Sequence, residues 1–172
     1  IRECCLMQRQ NERRKAMKKI AIQGVKGSFH DIAAHQYFPD EDIELVCCNT
    51  FEDIFRHMRN DNSCLGLMAI ENTIAGSLLH NYELLRESGM IIVGEHKLHI
   101  EHSIMCLPDD EWTDLAEVNS HPVALMQCRG FLSHHPELKV VEAADTAGAA
   151  ERISREQLHG HAAICHAGAA PL

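Results

Sequence analysis

Short apolar runs alternate with helical patterns along most of the chain, and this alternation restricts the possible fold more than any other feature. KIAIQG, IELVCC and LGLMAI have the length and composition of strands, whereas FHDIAAHQYF and FEDIFRHMRN carry apolar residues at helical spacing. Strands separated by helices of this length are typical of α/β proteins with mostly parallel sheets. The sequence therefore predicts an α/β fold. Ser28 is the predicted cap of the first helix, and Thr50 with Asp53 forms a predicted capping box for the second. GSLLHNYELLRES is predicted as a third helix that Gly89 closes, and HAGAAPL as the start of a last helix.

The alternation changes after about residue 90. MIIVGEHKLHI and HSIMCLP are two strand-like runs with too few residues between them for a helical crossover, so we predict that the chain enters a second sheet there. This interpretation gives a first α/β lobe at 17–90 and a second at 91–172, with mostly parallel or mixed sheets. Two such lobes are expected to enclose a cleft, which is a favoured location for ligands.

The first sixteen residues differ in composition from the rest. IRECCLMQRQNERRKA has no sustained apolar segment followed by a small-residue cleavage site, so it does not match a secretory signal. We predict that residues 1–16 form an N-terminal extension or a loosely held arm. Its deletion would then leave the melting temperature and ligand binding nearly unchanged.

Composition excludes several classes of partner. The formal charge of −9 argues against nucleic acid, and no apolar run is long enough to span a membrane. The eight cysteines include no C-x-x-C pair, which favours reduced thiols in a cytoplasmic protein. The thirteen histidines match no zinc spacing such as H-E-x-x-H, so we predict no metal site.

Polar residues follow three of the predicted strands. They lie in QGVKGSF (Gln23–Phe29), ENTIAGS (Glu71–Ser77) and NSHPVALMQCRGFL (Asn119–Leu132). Ligands of open α/β sheets bind at the carboxyl ends of the strands, so these turns are candidate binding loops. Taken singly, each also has a structural explanation: a capped turn, an ion pair of Glu71, or a capping role for His121 beside the helix-starting proline.

Four segments taken together identify a family. GVKGSFHDIAA, AIENTIAGSLLHNYELL, IVGEHKLHIEHSIM and SHPVALMQCRGFL, in this order, resemble the prephenate dehydratase family, and the resemblance runs from Lys18 to Leu172. The departures are Val25 in place of a common proline, Thr73 where serine is commoner, and Val123 where glutamine is common.

The resemblance implies a function and a set of site residues. Members of the family convert prephenate to phenylpyruvate, water and carbon dioxide in L-phenylalanine biosynthesis, a carbon–oxygen lyase reaction that needs no metal or organic cofactor. Their two-lobed fold is similar to that of type II periplasmic binding proteins. The implied catalytic residues are Asn72, Thr73, Ser77 and Gln127. The implied substrate-binding residues are Gly27, Ser28, Glu71, Gly76, Ser120 and His121.

Two family features are missing from this sequence. A Thr-Arg-Phe or Thr-Arg-Asp tripeptide should follow AAICHAGAAPL, but none of the threonines, Thr50, Thr73, Thr113 and Thr146, precedes an arginine. A C-terminal ACT domain, through which L-phenylalanine regulates the family, is also absent. We therefore expect a fragment, of low activity, of a longer cytoplasmic homo-oligomer (dimer or tetramer).

Two other functions remain open at this stage. The first is a non-catalytic module of the same two-lobed fold that binds a small carboxylate. The second is a histidine-rich metal sensor, which would retain zinc after dialysis against a weak chelator.

Overall fold

The computed structural model describes residues 2–8, 17–74 and 76–169. The contacts between residues divide the chain into two compact units, residues 1–100 and 101–172. Each unit has its own sheet. Within the described residues, no helix combines the length and the hydropathy that a bilayer-crossing segment requires.

The first unit is a sheet with three helices among its described residues. Its elements are β1 (Arg2–Gln8), β2 (Lys18–Gln23), α1 (Phe29–Tyr37), β3 (Ile43–Cys48), α2 (Phe51–Asn60), β4 (Leu65–Asn72), β5 (Gly76–Ser77), α3 (Leu79–Ser88) and β6 (Ile91–Leu98). The strand order is β3-β2-β4-β1-β6, and the short β5 pairs with β4. Strand β2 is parallel to β3 and β4, as the sequence predicts for strands joined by helices.

Side-chain caps start α1 and α2 where the sequence predicts them. Ser28 precedes α1, and its hydroxyl accepts a hydrogen bond from the Asp31 backbone at 3.4 Å. Thr50 and Asp53 form the predicted capping box at the start of α2, each side chain accepting from the other residue's backbone N–H. Gly89 ends α3 in the left-handed region, with φ of 69°.

Strand β1 lies inside the sheet, which corrects the prediction of a loosely held arm. It forms antiparallel ladders with β4 on one side and β6 on the other. The prediction was therefore wrong for residues 2–8, while residues 9–16 lie outside the described residues. Charged flanks and the strand-like opening after Met17 suggested an arm, but strand pairing is decided by partners distant in sequence.

The side chains of β1 contribute to the core of the first unit. Cys4, Leu6 and Met7 are buried, and Met7 packs in the cluster that contains Met58. Gly66 of β4 makes this packing possible, because a Cβ there would lie 3.0 Å from Met7 Cε and 2.5 Å from Met58 Sδ. The position therefore requires glycine for close approach rather than for backbone freedom.

Strand β6 belongs to the first sheet, although the sequence analysis placed it at the start of the second lobe. It pairs with β1 along most of its length, from Arg2 opposite Leu98 to Gln8 opposite Ile91. The division between the units consequently falls at 100/101, ten residues later than the predicted boundary at 90/91.

The second unit is a smaller sheet covered by helices. Its elements are β7 (Ser103–Met105), a 3₁₀ turn (Trp112–Asp114), β8 (Glu117–Ser120), α4 (Pro122–Gln127), α5 (Arg129–Leu132), β9 (Lys139–Glu142), α6 (Thr146–Glu156), β10 (His161–Cys165) and a second 3₁₀ turn (Ala167–Ala169). The strand order is β7-β10-β8-β9. Strand β8 is parallel to β9 and β10, and β7 is antiparallel to β10. A helix predicted for HAGAAPL is a 3₁₀ turn as far as Ala169, and its last three residues lie outside the described part.

An ion pair holds the turn that precedes β10. His159 Nδ1 lies 2.7 Å from Asp110 Oδ1, and Gly160 donates its backbone N–H to Asp110 Oδ2 at 2.9 Å. The hydrogen bond and the charge of Asp110 raise the pKa of His159. The same hydrogen bond, together with that from Gly160, lowers the pKa of Asp110. The pair therefore favours the state in which both groups are charged.

We expect this pair to stabilise the second unit most at mildly acidic pH. The contribution of His159 is present below its ordinary pKa of 6.5 and is lost as pH rises through the raised value. The stabilising contribution of Asp110 is present above its ordinary pKa of 3.8 and is lost as pH falls through its lowered pKa. Denaturant unfolding of His159→Gln should therefore show its largest stability loss between these values and a smaller loss in alkali. His134→Gln, which removes an exposed histidine of the same unit, is the control, and an equal pH profile for both variants would contradict the assignment.

We expect β1 to be necessary for the stability of the first unit. Met7→Ala removes a fully buried side chain and should lower the free energy of unfolding by about 2–5 kcal/mol. The matched variant Met17→Ala, at a side chain that is 59% exposed, should change it by less than about 0.5 kcal/mol. Urea unfolding measures both changes. Equal stability of the two variants would restore the interpretation of residues 1–16 as an arm.

Candidate active-site residues

The carboxyl end of β4 forms a tight turn that is closed by a carboxylate. Strand β5 pairs back on β4, with Ser77 opposite Glu71 and Gly76 opposite Asn72. Glu71 Oε1 accepts hydrogen bonds from Ser77 Oγ at 2.7 Å and from Tyr82 Oη at 2.8 Å. Two hydroxyl donors from two elements therefore hold one carboxylate oxygen. The predicted site residues do not include Tyr82, although it lies in the segment AIENTIAGSLLHNYELL.

Asn72 stabilises the same turn from its buried side. Its side chain is buried, and its Oδ1 accepts from the Ile74 backbone N–H at 3.0 Å, which forms an Asx turn. Thr73 and Ile74 are exposed at the tip of this turn. Asn81 anchors α3 against β4 by donating to the Ala69 carbonyl at 2.8 Å. The tip is thus held by buried amides and presents a hydroxyl and an apolar side chain to solvent.

The surface around this turn is partly apolar. Ile74, Leu79 and Tyr82 are 62%, 76% and 41% exposed. Large apolar side chains beside a hydroxyl and a carboxylate can contact a ligand that has both a hydrocarbon ring and polar groups. We name the segment Glu71–Ser77 together with Tyr82 the Glu71 turn.

Gly76 and Ser77 do not start a helix, contrary to the sequence prediction. They form β5, and α3 begins at Leu79 without a side-chain cap on its N-terminus. The Ser77 hydroxyl donates to Glu71 instead. The hairpin between β4 and β5 takes precedence over the cap because both residues pair with the preceding strand.

The amides of Gly27 and Ser28 donate within their own loop, while their predicted role as donors to a substrate carboxylate stays a prediction. Gly27 N–H donates to Asp31 Oδ2 at 2.7 Å, and Ser28 N–H donates to the Val25 carbonyl at 3.1 Å. The Asp31 carboxylate, in the first turn of α1, thus accepts the hydrogen bond that an external anion would otherwise receive from Gly27. An external carboxylate would have to displace Asp31.

In the second unit, Ser120 and His121 make structural contacts, and their predicted substrate-binding roles stay predictions. Ser120 is fully buried, and its hydroxyl donates to the Ile164 carbonyl of β10 at 2.5 Å. His121 is the N-cap of α4, where its Nδ1 accepts from the Val123 N–H at 3.2 Å. Pro122 occupies the first helical position, as predicted. Of the two explanations that the sequence left open for His121, the structure supports capping.

Gln127 forms a polar pair with a residue that sequence analysis did not select. His102 Nε2 lies 2.6 Å from Gln127 Oε1, an arrangement in which the imidazole donates. His102 also lines a cavity of about 430 Å³ whose other walls are largely apolar: Ser103, Ile104, Trp112, Cys128, Phe131 and Ile164. The segment IVGEHKLHIEHSIM contains three histidines, and nothing in its pattern distinguishes His102 from the other two.

The buried thiols are not suited to nucleophilic chemistry. Burial raises the pKa of Cys48, Cys64 and Cys165 to about 11, so these groups are protonated near neutral pH. Over the part of the chain that the structure describes, no three His, Cys, Asp or Glu side chains are grouped so that they could hold a metal ion.

Comparison with known proteins identifies the family. The sequence profile of the family Prephenate dehydratase matches residues 20–172, so the chain belongs to this family. Arogenate dehydratase/prephenate dehydratase 2, chloroplastic, of Arabidopsis thaliana is 36% identical over 156 residues, which are 90% of this chain and 40% of that protein. The resemblance of the four quoted segments is thereby confirmed.

Two solved structures share the fold. A structure described as GqqA, a novel type of quorum quenching acylase, superposes with a TM-score of 0.77 at 33% identity, covering 89% of this chain and 55% of that one. Prephenate dehydratase from Arthrobacter aurescens in complex with L-Phe gives 0.69 at 20% identity, covering 89% and 51%. The predicted α/β class, similar to the type II periplasmic binding proteins, is confirmed. The chain spans about half of these proteins or less.

We expect Ser120 to act on stability rather than on ligand binding. Ser120→Ala removes the donor to a buried carbonyl and should lower the free energy of unfolding by about 1–3 kcal/mol. Ser133→Ala, at an exposed serine of the same unit that also donates to a carbonyl, should cost less than about 0.5 kcal/mol. Denaturant unfolding tests both variants. A loss no larger for Ser120→Ala than for Ser133→Ala would return Ser120 to the group of candidate ligand contacts.

Proposed function

We propose that this chain forms the catalytic domain of a prephenate dehydratase, which converts prephenate to phenylpyruvate, water and carbon dioxide in L-phenylalanine biosynthesis. The family match over residues 20–172 is the observation that carries the proposal. The Glu71 turn supports it, because its polar and apolar groups lie side by side at a strand end, where ligands of α/β sheets bind.

The reaction requires few chemical groups. Aromatisation of the ring supplies the driving force, so the barrier lies in expelling hydroxide while the ring carboxylate leaves as carbon dioxide. A hydrogen-bond donor must stabilise the leaving oxygen, and further donors must hold the pyruvyl carboxylate. An apolar setting around the ring carboxylate favours its departure, since the negative charge spreads in the transition state.

The side chains of the first unit divide into contacting and supporting groups. Thr73, exposed at the tip, is the hydroxyl that we assign to a substrate oxygen. Asn72 holds that tip through its bond to the Ile74 N–H and is assigned to the substrate through its amide. Glu71, Ser77 and Tyr82 keep the turn closed. This assignment moves Ser77 from the predicted catalytic group to the supporting group.

In the second unit, we assign substrate contact to Gln127 and a positioning role to His102. The 2.6 Å bond from His102 fixes the Gln127 amide so that its NH₂ group points away from the imidazole. An amide held in this way donates to a carboxylate without having to be reoriented on binding. Ser120, His121, Gly27 and Ser28 act in this proposal as the framework of their loops.

The non-catalytic carboxylate-binding module is the alternative, and it is not favoured. The Arabidopsis relative carries a dehydratase name, and the family profile spans both units. We further propose that the protein acts in the cytoplasm as a homo-oligomer, a dimer or tetramer. L-phenylalanine would then act through a regulatory domain. The Arabidopsis relative is named as chloroplastic.

We expect Asn72→Ala, made in a version of the protein that carries the Thr-Arg-Phe or Thr-Arg-Asp segment of the family, to lower kcat/KM for prephenate at least about tenfold, which corresponds to about 1.4 kcal/mol. The loss should arise because the tip that carries Thr73 is no longer held. Phenylpyruvate formation measures turnover, and calorimetry with prephenate measures binding where turnover is slow. Asn60→Ala, at an exposed asparagine on the last turn of α2, is the control and should stay within about twofold of the parent.

The outcomes separate the two functions. Binding of prephenate without phenylpyruvate formation, by a parent protein that carries the Thr-Arg segment, would support the non-catalytic module. A change below about threefold for Asn72→Ala, with normal turnover by the parent, would make Asn72 a purely structural residue.

A further inference from the structure

The second unit contains a polar cavity that the proposed dehydratase residues do not use. It has a volume of about 420 Å³ and lies along α6, between this helix and the neighbouring strands. Its charged and polar lining consists of Asn119, Glu142, Asp145, Arg152 and Arg155. Asn119 belongs to the NSHP motif but has no place in the assignments above.

Asn119 presents an acceptor that the described part of the protein does not satisfy. The residue is only 3% exposed, and its Oδ1 is buried with no hydrogen-bond partner among the described residues. The amide nitrogen of Asn119 donates to the Ala162 carbonyl at 3.5 Å. It also donates to the Glu117 carboxylate, and this hydrogen bond helps to lower the pKa of Glu117. These acceptors fix the orientation of the amide, so the unpartnered atom is the oxygen. A buried acceptor without a donor is unfavourable, which indicates that a donor belongs in this cavity.

The other charged groups of the cavity show which donor fits. The carboxylates of Glu142 and Asp145 lie near the start of α6, and with Asn119 Oδ1 they form an acceptor-rich end that suits an ammonium group. Asp145 Oδ1 already accepts from the Gly148 N–H at 2.6 Å, which fixes this carboxylate in place. A bare anion would be repelled at this end.

Two arginines further along α6 also line the cavity. Arg152 and Arg155 follow Asp145 by two to three helical turns, and long side chains on a helix lean back towards its N-terminus. Their guanidinium groups form ion pairs with exposed glutamates, Arg152 with Glu156 at 3.4 Å and Arg155 with Glu151 at 3.3 Å. Exposed ion pairs of this kind are weak, so either arginine can exchange its partner for a ligand carboxylate.

We propose that this cavity binds a small zwitterion, an α-amino acid being the simplest, whose ammonium group donates to Asn119 Oδ1 and the adjacent carboxylates and whose carboxylate accepts from Arg152. The cavity volume of about 420 Å³ is many times the roughly 30 Å³ of one water molecule, so it has room for a ligand of this size. The proposal is independent of the dehydratase assignment, since none of its residues is placed in that chemistry.

The first test uses ligands that carry one or both charges. L-alanine and 4-aminobutyrate are the zwitterionic probes, with two charge separations, and propionate and propylamine are the single-charge controls. We expect saturation-transfer NMR and calorimetry to show binding of at least one zwitterion, at least about fivefold tighter than either control. Binding of neither zwitterion at millimolar concentration, or equal binding of propionate or propylamine, would overturn the proposal and leave ordered water as the partner of Asn119.

The second test uses variants. Arg152→Gln should weaken the bound zwitterion at least about fivefold, whereas Arg129→Gln, at an exposed arginine on α5 outside the cavity, should leave the affinity within about twofold. Asn119→Leu should abolish binding while circular dichroism shows a folded protein. If Asn119→Leu fails to fold, Arg152→Gln decides the matter, because its side chain is half exposed. Equal affinity of Arg152→Gln and Arg129→Gln would overturn the proposal.

Discussion

The pairing of β1 between β4 and β6 is the interaction on which the first unit depends. A strand without a neighbour on one side leaves its backbone N–H and C=O groups on that edge unpaired. Strand β1 pairs with one edge of β4 and one edge of β6. Its register sets Arg2 opposite Asn72 and Glu3 opposite Glu71, at the strand end from which the Glu71 turn begins. The position of the turn, the hydroxyl bonds that close it and the exposed tip all rest on a β4 strand held on both sides.

The candidate site illustrates a division between groups that hold and groups that act. Most of the polar side chains at the three strand ends are used by the protein itself: Asp31 fills the first turn of α1, His121 caps α4, and Ser120 ties β8 to β10. This internal use fixes the loops. The residues assigned to substrate contact under the proposed function include Thr73 in the first unit and Gln127, held by His102, in the second. A small set of well-held donors would suit the proposed reaction, whose driving force comes from the substrate ring.

Local chemistry could be predicted from the sequence, and non-local pairing could not. The caps at Ser28 and Thr50, the stop at Gly89 and the helix start at Pro122 depend on side chains within a few residues, and the structure confirms them. The position of β1 depends on vacant sites on two strands that lie some sixty to ninety residues away, and no local pattern encodes this. The predicted helix start at Gly76 and Ser77 was wrong for the same reason, because Ser77 pairs with Glu71 across a hairpin. His102 was missed because its significance arises only from contact with Gln127.

The aromatic residues are distributed so that each unit has its own optical signal. Trp112 is the single tryptophan of the sequence, and it packs edge-on against Phe131 and His135 of the second unit, with ring centroids at 6.0 and 4.9 Å. Both tyrosines, Tyr37 and Tyr82, lie in the first unit. Indole emission therefore reports on one half of the molecule and phenol absorbance on the other, so the melting of the two halves can be resolved in a single sample without any label.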